Sequence, residues 1–236
     1  MKPFLDPAAR EDESPQPVPW QQAGCEFCDE LRHAESSRFR GLYPDVRSRV
    51  VLEGPQLVAM PTLGQLFKGS MLVLPREHVE AAARMSESQL CELETCVGEL
   101  ERQLADLGNC VVFEHGAICA SGAGCGIYHA HVHVVPLPGE ASCQAVLGGE
   151  IQFADGFACA LRGLRSASSY LIFRDTGGLT AYRDLSLADL SSFPSQYLRR
   201  RLGDHFHIER SWDWRRYDRP EPYLVEALRH FRGWHN

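Results

Sequence analysis

Residues 129–136 read His-Ala-His-Val-His-Val-Val-Pro, and this stretch constrains the chain more than any other. In an extended strand alternate side chains share a face. His129, His131 and His133 therefore point one way, and Ala130, Val132 and Val134 point the other. The apolar face must lie on a core, while the opposite face carries three imidazoles spaced about 7 Å apart. An imidazole with an ordinary pKa of about 6.5 binds metal, moves protons or attacks an electrophile. A bland histidine-rich edge strand would need neither the alternation nor what precedes it. Residues 121–126, Ser-Gly-Ala-Gly-Cys-Gly, can bring bare backbone N–H groups close to an anion. Gly124, Cys125 and Gly126 are thus candidate substrate-binding positions beside the histidine face.

The rest of the chain supplies a core for such a strand. Residues 49–53 and 56–60 flank Gly54-Pro55 and read as two strands around a tight turn. Residues 70–74 form another strand, closed by Pro75. Ser86 and Gln89 make a capping box, and Leu90, Leu93, Val97, Leu100, Leu104 and Leu107 follow on one helical face until Gly108. Cys91 and Cys96 fall in this helix and read as packing residues. Residues 110–113 and 128–135 are strands. Further on, 169–173 and 179–183 read as a hairpin around Gly177-Gly178, and 185–203 and 221–234 read as helical, with Pro194 opening a second helix at Ser195. No internal repeat is visible. Antiparallel hairpins with separate helices define an α+β class: an antiparallel sheet with flanking helices, plus a C-terminal α/β extension.

Residues 1–20 hold five prolines and the run Glu11-Asp12-Glu13, which reads as a flexible arm. The expected organisation is this arm, a domain over 21–138, and an extension over 139–236 packed on it. No apolar run approaches the ~20 residues of a membrane span, and the N-terminus has no signal-like apolar stretch, so a cytoplasmic protein is expected. The net charge of −7 repels a nucleic-acid backbone at long range, which disfavours a nucleic-acid partner but not a small anion in a pocket.

Cys25-Glu26-Phe27-Cys28 has the spacing of half a zinc site. A redox pair is the other reading of such a motif, but that form usually follows a strand, and here a proline-rich arm precedes it. Two further ligands are required. His78 and His129 are the best candidates, and His33 is nearer in sequence. A closed four-ligand site would make the zinc structural.

Taken with its neighbours, the 129–135 stretch resembles the histidine-triad signature. Gly69-Ser70-Met71-Leu72-Val73-Leu74-Pro75-Arg76-Glu77-His78 resembles the family segment upstream of it, and Cys25-Glu26-Phe27-Cys28 looks like the N-terminal zinc half of many members. The resemblance covers about residues 25–138. It implies that His131 is the nucleophile, forming a nucleotidyl-histidine at an α-phosphate, and that His133 contacts phosphate oxygens or aids the leaving group. It supports Cys25, Cys28, His78 and His129 as ligands of a structural Zn²⁺. It also implies a nucleotide or nucleotide-conjugate substrate, hydrolysis or nucleotidyl transfer, and a homodimer. Two departures stand out: Ser70 replaces a histidine, and Gly124-Cys125-Gly126 replaces a motif with polar side chains. Glu114 and His115 are candidates to reach the site from the neighbouring strand. Gln196 and Arg200, with Arg199 as the alternative arginine, are candidates to replace the missing phosphate donors. The competing classes are redirected phosphate-ester or lyase chemistry, and a zinc-stabilised nucleotide sensor without turnover.

Overall fold

Gly54-Pro55 interrupts two apolar runs, and the chain turns there. The computed structural model describes residues 24–118, 126–188, 190–208 and 212–233. The proline-rich arm and most of the glycine-rich segment, including Gly124 and Cys125, lie outside the described residues. Strands β1 (Leu52–Glu53) and β2 (Leu57–Pro61) pair antiparallel, Leu52 facing Ala59. The turn between them is held from outside by Glu92, whose carboxylate accepts the N–H groups of Gln56 at 3.1 Å and Leu57 at 2.9 Å. Strand β3 (Met71–Pro75) follows on the other side of β2 and ends at the proline, which cannot donate to a further ladder bond.

Helix α3 (Glu87–Leu104) begins where Ser86 and Gln89 satisfy each other's backbone donors. Leu90, Leu93, Val97, Leu100 and Leu104 are buried against the sheet, each contributing about 1.5–3 kcal/mol. Cys96 joins them, whereas Cys91 is exposed on the opposite side and packs against nothing in the core. Gly108 then reverses the chain at φ +127°, where an added Cβ would lie 2.1 Å from the Leu137 carbonyl oxygen. Strand β4 (Cys110–Ala117) runs longer than the sequence suggests. Strand β5 (Val132–Pro136) is shorter, starting after His131. The reason is local: the buried Glu114 carboxylate accepts the His131 N–H at 3.3 Å, taking the place of a ladder bond between β4 and β5.

Beyond β5 come α4 (Cys143–Leu147), β6 (Gln152–Ala154), α5 (Phe157–Gly163), β7 (Ser169–Arg174), β8 (Thr180–Asp184), α6 (Tyr197–His205) and α7 (Pro222–Gly233). The expected hairpin is β7–β8, turning at Gly177-Gly178. The eight strands among the described residues form one sheet, ordered β1-β2-β3-β5-β4-β7-β8-β6, with every adjacent pair antiparallel. Residues 152–184 therefore extend the same sheet. The fold is α+β.

A repeat invisible in the sequence is present in this topology. The run β3-α3-β4-β5-α4 has the same element order as β6-α5-β7-β8-α6. Outward from the central β4–β7 pair, both halves read the same: β4-β5-β3 on one side, β7-β8-β6 on the other. α3 and α5 share one face of the sheet, in a core with Val112, Val134 and Ile172. α4 and α6 share the other, in a core with Val111, Val135 and Phe173. The trailing helices exchange places. α4 packs on β7 and β8, and α6 packs on β4.

Candidate metal centre and histidine pocket

Cys25 stands at the N-cap of α1 (Glu26–Leu31), and Cys28 lies in the first turn, so one helix start presents two thiols together. His78 lies in the turn after β3, and His129 comes just before β5. One ligand atom from each of these four residues falls within 4.8 Å of the others. Cys25 Sγ is 3.5 Å from His129 Nδ1, Cys28 Sγ is 3.5 Å from the same nitrogen, and Cys28 Sγ is 3.4 Å from His78 Nδ1. His129 Nε2 donates to the Pro75 carbonyl at 2.8 Å. That bond fixes the tautomer and turns the Nδ1 lone pair toward the thiols, the arrangement a metal-ligating histidine needs. The hydrogen bond from the Cys28 thiol holds Cys25 down at about 3, in the thiolate form that binds metal. These two thiols and two imidazoles can hold a metal ion. His33, nearer in sequence, ends α1 at φ +59° and takes no part in the cluster.

His129 keeps to the histidine side, sharing Phe27 with His131, while Ala130 packs in the opposite core. His131 and His133 follow on the same face, buried, with ring centroids 5.6 Å apart. His131 Nδ1 donates to the His129 carbonyl at 2.5 Å, so the ring's lone pair sits on Nε2. Burial pushes His131 below the ordinary imidazole range and His133 well below it, which keeps both neutral. His133 stacks flat on Phe113 at 4.5 Å, with an interplanar angle of 6°. Phe27, from the cysteine-bearing helix, packs on His131 at 5.1 Å. The metal cluster and the pocket therefore share a wall.

The pocket over these histidines is lined also by Thr62, Arg49, Arg199, Gln196 and Trp214. Arg49 is bound on two sides by Glu30, at 2.6 and 2.8 Å, and donates to the Pro61 carbonyl. Gln196 is buried in the left-handed region at φ +64°. Its Nε2 donates to Asp213 at 2.6 Å, and its Oε1 accepts the Trp214 N–H at 3.1 Å. These bonds tie the pocket wall to the 213–214 segment and use the Gln196 side-chain carbonyl and one of its two N–H donors.

Arg200 is exposed and lies 3.7 Å from Asp204, so it does not reach the pocket. Arg199 does. The phase of α6 decides this: Leu198, Leu202 and Gly203 are buried, and Arg199 lies on their side of the helix. That amphipathic phase was the available signal, and the Arg199-Arg200-Arg201 run obscured it.

Glu114 is buried, but on the sheet face opposite the His131 ring. It accepts from Ala82 N at 3.1 Å, from the His131 N–H and from the Tyr170 hydroxyl, and burial raises its pKa. It holds the backbone of His131 in place. His115 shares the face of Phe113, and neither of its ring nitrogens has a hydrogen-bond partner. Burial pushes it down to about 4. Gly126 is exposed at φ +91°, and a Cβ there would come 3.2 Å from the Ser195 hydroxyl.

No protein-family model matches the chain, and no curated protein does. Among solved structures it is similar to a hypothetical histidine triad nucleotide-binding protein from Sulfolobus tokodaii, at 24% identity over 48% of this chain and 68% of that one, with a TM-score of 0.36. It is similar to a member of the HIT family from Bacillus subtilis, at 22% identity over 48% and 72%, with a TM-score of 0.37. A HIT family hydrolase from Clostridium thermocellum matches at 17% identity over 52% and 98%, also with a TM-score of 0.37. Among the described residues, no helix is long and apolar enough to cross a membrane.

Proposed function

We propose that this chain is a histidine-triad enzyme acting at the α-phosphate of a nucleotide conjugate, with His131 as the nucleophile. The observation that carries this reading is the state of His131: a buried, neutral ring whose Nδ1–H is bound to the His129 carbonyl and whose lone pair is on Nε2. That is the attacking form of imidazole. Nε2 forms a bond to phosphorus as the bond to the leaving oxygen breaks, and the electron pair departs with that oxygen. Water or an acceptor hydroxyl then attacks phosphorus, the P–N bond breaks, and the imidazole is restored. His133 lies flat on Phe113 and beside His131, which supports a role in contacting the phosphate oxygens.

The cluster of Cys25, Cys28, His78 and His129 fits a zinc ion. A tetrahedron with Zn–S of about 2.3 Å and Zn–N of about 2.0 Å has S···N edges of about 3.5 Å, and the observed separations are 3.4–3.5 Å. Four protein ligands would fill the site, so a bound ion would be structural. It would tie α1 to the segment that carries His131.

The test is intact-mass spectrometry under non-acidic conditions after incubation with a pool of nucleotide conjugates. The wild type is expected to gain the mass of one nucleotidyl group, and His131→Asn to gain none. Absence of both adduct and nucleotide release in the wild type would reject the reading.

A further inference from the structure

The pocket over the histidines is not closed by the unit that carries them. It is completed by α6, the helix that the second repeat sends across the sheet. We infer that Arg199 on this helix is the binding cation for an anionic phosphoryl group, making the site a composite of the two repeats within one chain. The inference rests on the reading of His131 as the reacting group, because it names what holds the substrate's charge beside it.

Three observations carry it. First, Arg199 is 6% exposed and makes no direct ion pair among the described residues, the carboxylates of Glu221 and Asp213 acting on it only from beyond ion-pair distance. A buried cation with no directly paired carboxylate is costly, so the fold is expected to retain one where a ligand completes the charge balance. Second, the guanidinium is aimed and fixed: Nε donates to the Trp212 carbonyl at 2.9 Å and Nη2 to the Gly64 carbonyl at 2.5 Å. These bonds use part of the five-donor fork and leave Nη1 available to an anion. Third, other polar atoms on the same wall also lack partners. The Thr62 hydroxyl and His133 Nδ1 are buried without a hydrogen bond, and both residues line the pocket. One phosphoryl group, with several acceptor oxygens, satisfies such a set.

The alternatives within the pocket are already committed. Arg49 is consumed by Glu30 and the Pro61 carbonyl. His131 and His133 are held neutral by burial and bring no charge. Among the described residues the second repeat shows no equivalent centre of its own. On β8, the counterpart of the histidine strand, the sequence is Thr180-Ala181-Tyr182-Arg183-Asp184, without an imidazole. Its Arg183 lies over the Phe193 ring at 4.9 Å and donates to the Gly148 carbonyl at 2.9 Å. What the second repeat retains is the crossing helix.

The experiment is calorimetric titration of inorganic phosphate, with acetate as the non-phosphoryl anion, into wild type, Arg199→Met, Arg200→Met and His131→Asn. Wild type is expected to bind phosphate in preference to acetate, Arg199→Met to lose at least about ten-fold in affinity, and Arg200→Met to match the wild type. Phosphate affinity within about two-fold of wild type in a folded Arg199→Met overturns the inference, as does no phosphate binding by wild type. Should Arg199→Met not fold, crystals of the wild type soaked in tungstate decide. Heavy-atom density against the Arg199 guanidinium supports the inference, and density only elsewhere overturns it. His131→Asn separates the two claims. It cannot form the adduct, and the adduct is read by mass on the wild type while the anion site is read by the phosphate affinity of Arg199→Met, so either claim can fail without the other.

Discussion

A buried histidine with no hydrogen-bond partner on either nitrogen makes stability depend on pH, and His115 is such a residue. Burial pushes its folded-state pKa down to about 4, whereas an exposed imidazole in the unfolded chain titrates near 6.5. Between these values the unfolded chain takes up a proton that the folded chain refuses. The stability contribution is therefore fully present above about pH 6.5 and is lost as pH falls through about 4. His115→Phe removes the titration while keeping an aromatic ring. Its melting temperature is expected to fall less than that of the wild type between about pH 7 and about pH 4.5. Equal falls, measured by scanning calorimetry, would show that His115 is not buried in this way. Glu114, one position earlier, illustrates how the strand's alternation divides labour: it supports the His131 backbone from one face, while His115 sits on the other.

At the scale of elements, α1 is the clearest case of structure imposed from outside. Six residues are too few to hold a helix in water. Two things fasten it: the buried pair between Glu30 and Arg49, and the thiols of Cys25 and Cys28 set against His78 and His129. If the cluster holds zinc, chelation at neutral pH releases about one metal ion per chain. It also lowers the melting temperature and makes Cys25 and Cys28 reactive to thiol reagents before the rest of the fold opens. Unchanged melting after complete metal removal would rule out a structural role. Because Phe27 lies between the two thiols in sequence and packs on His131, loss of the metal is also expected to loosen the pocket wall.

For the whole molecule, the central contact is β4 with β7. Six residue pairs, from Val112 with Arg174 to Ala117 with Ser169, join the two repeats in one ladder. A chain ending at residue 138 would expose the entire β4 edge and both sheet faces that α4, α5 and α6 now share, a ready template for aggregation. Such a fragment is expected to be insoluble or unfolded when followed by size-exclusion chromatography and circular dichroism. A monomeric, cooperatively folded fragment would mean that residues 139–236 are dispensable to the sheet.

Local pattern settled much of this protein. The alternation at 129–135, the capping box at Ser86 and the turn at Gly54-Pro55 each act within a few residues, and each formed as read. The pairing of Cys25-Cys28 with His78 and His129 was also legible, because ligand chemistry limits the partners. What sequence alone left open depends on contacts between distant segments. The His129 ring is fixed by the Pro75 carbonyl and the thiols ahead of β5, and Glu114 displaces the ladder bond that would have extended β5. Arg199 rather than Arg200 faces the histidines because the buried side of α6 sets the rotation of that helix. The repeat lies in the order and direction of elements, which different side chains can satisfy equally well, so only the tertiary structure exposes it. The same holds for the pocket: its two histidines come from one repeat and its buried cation from the other, and packing across the sheet brings them together.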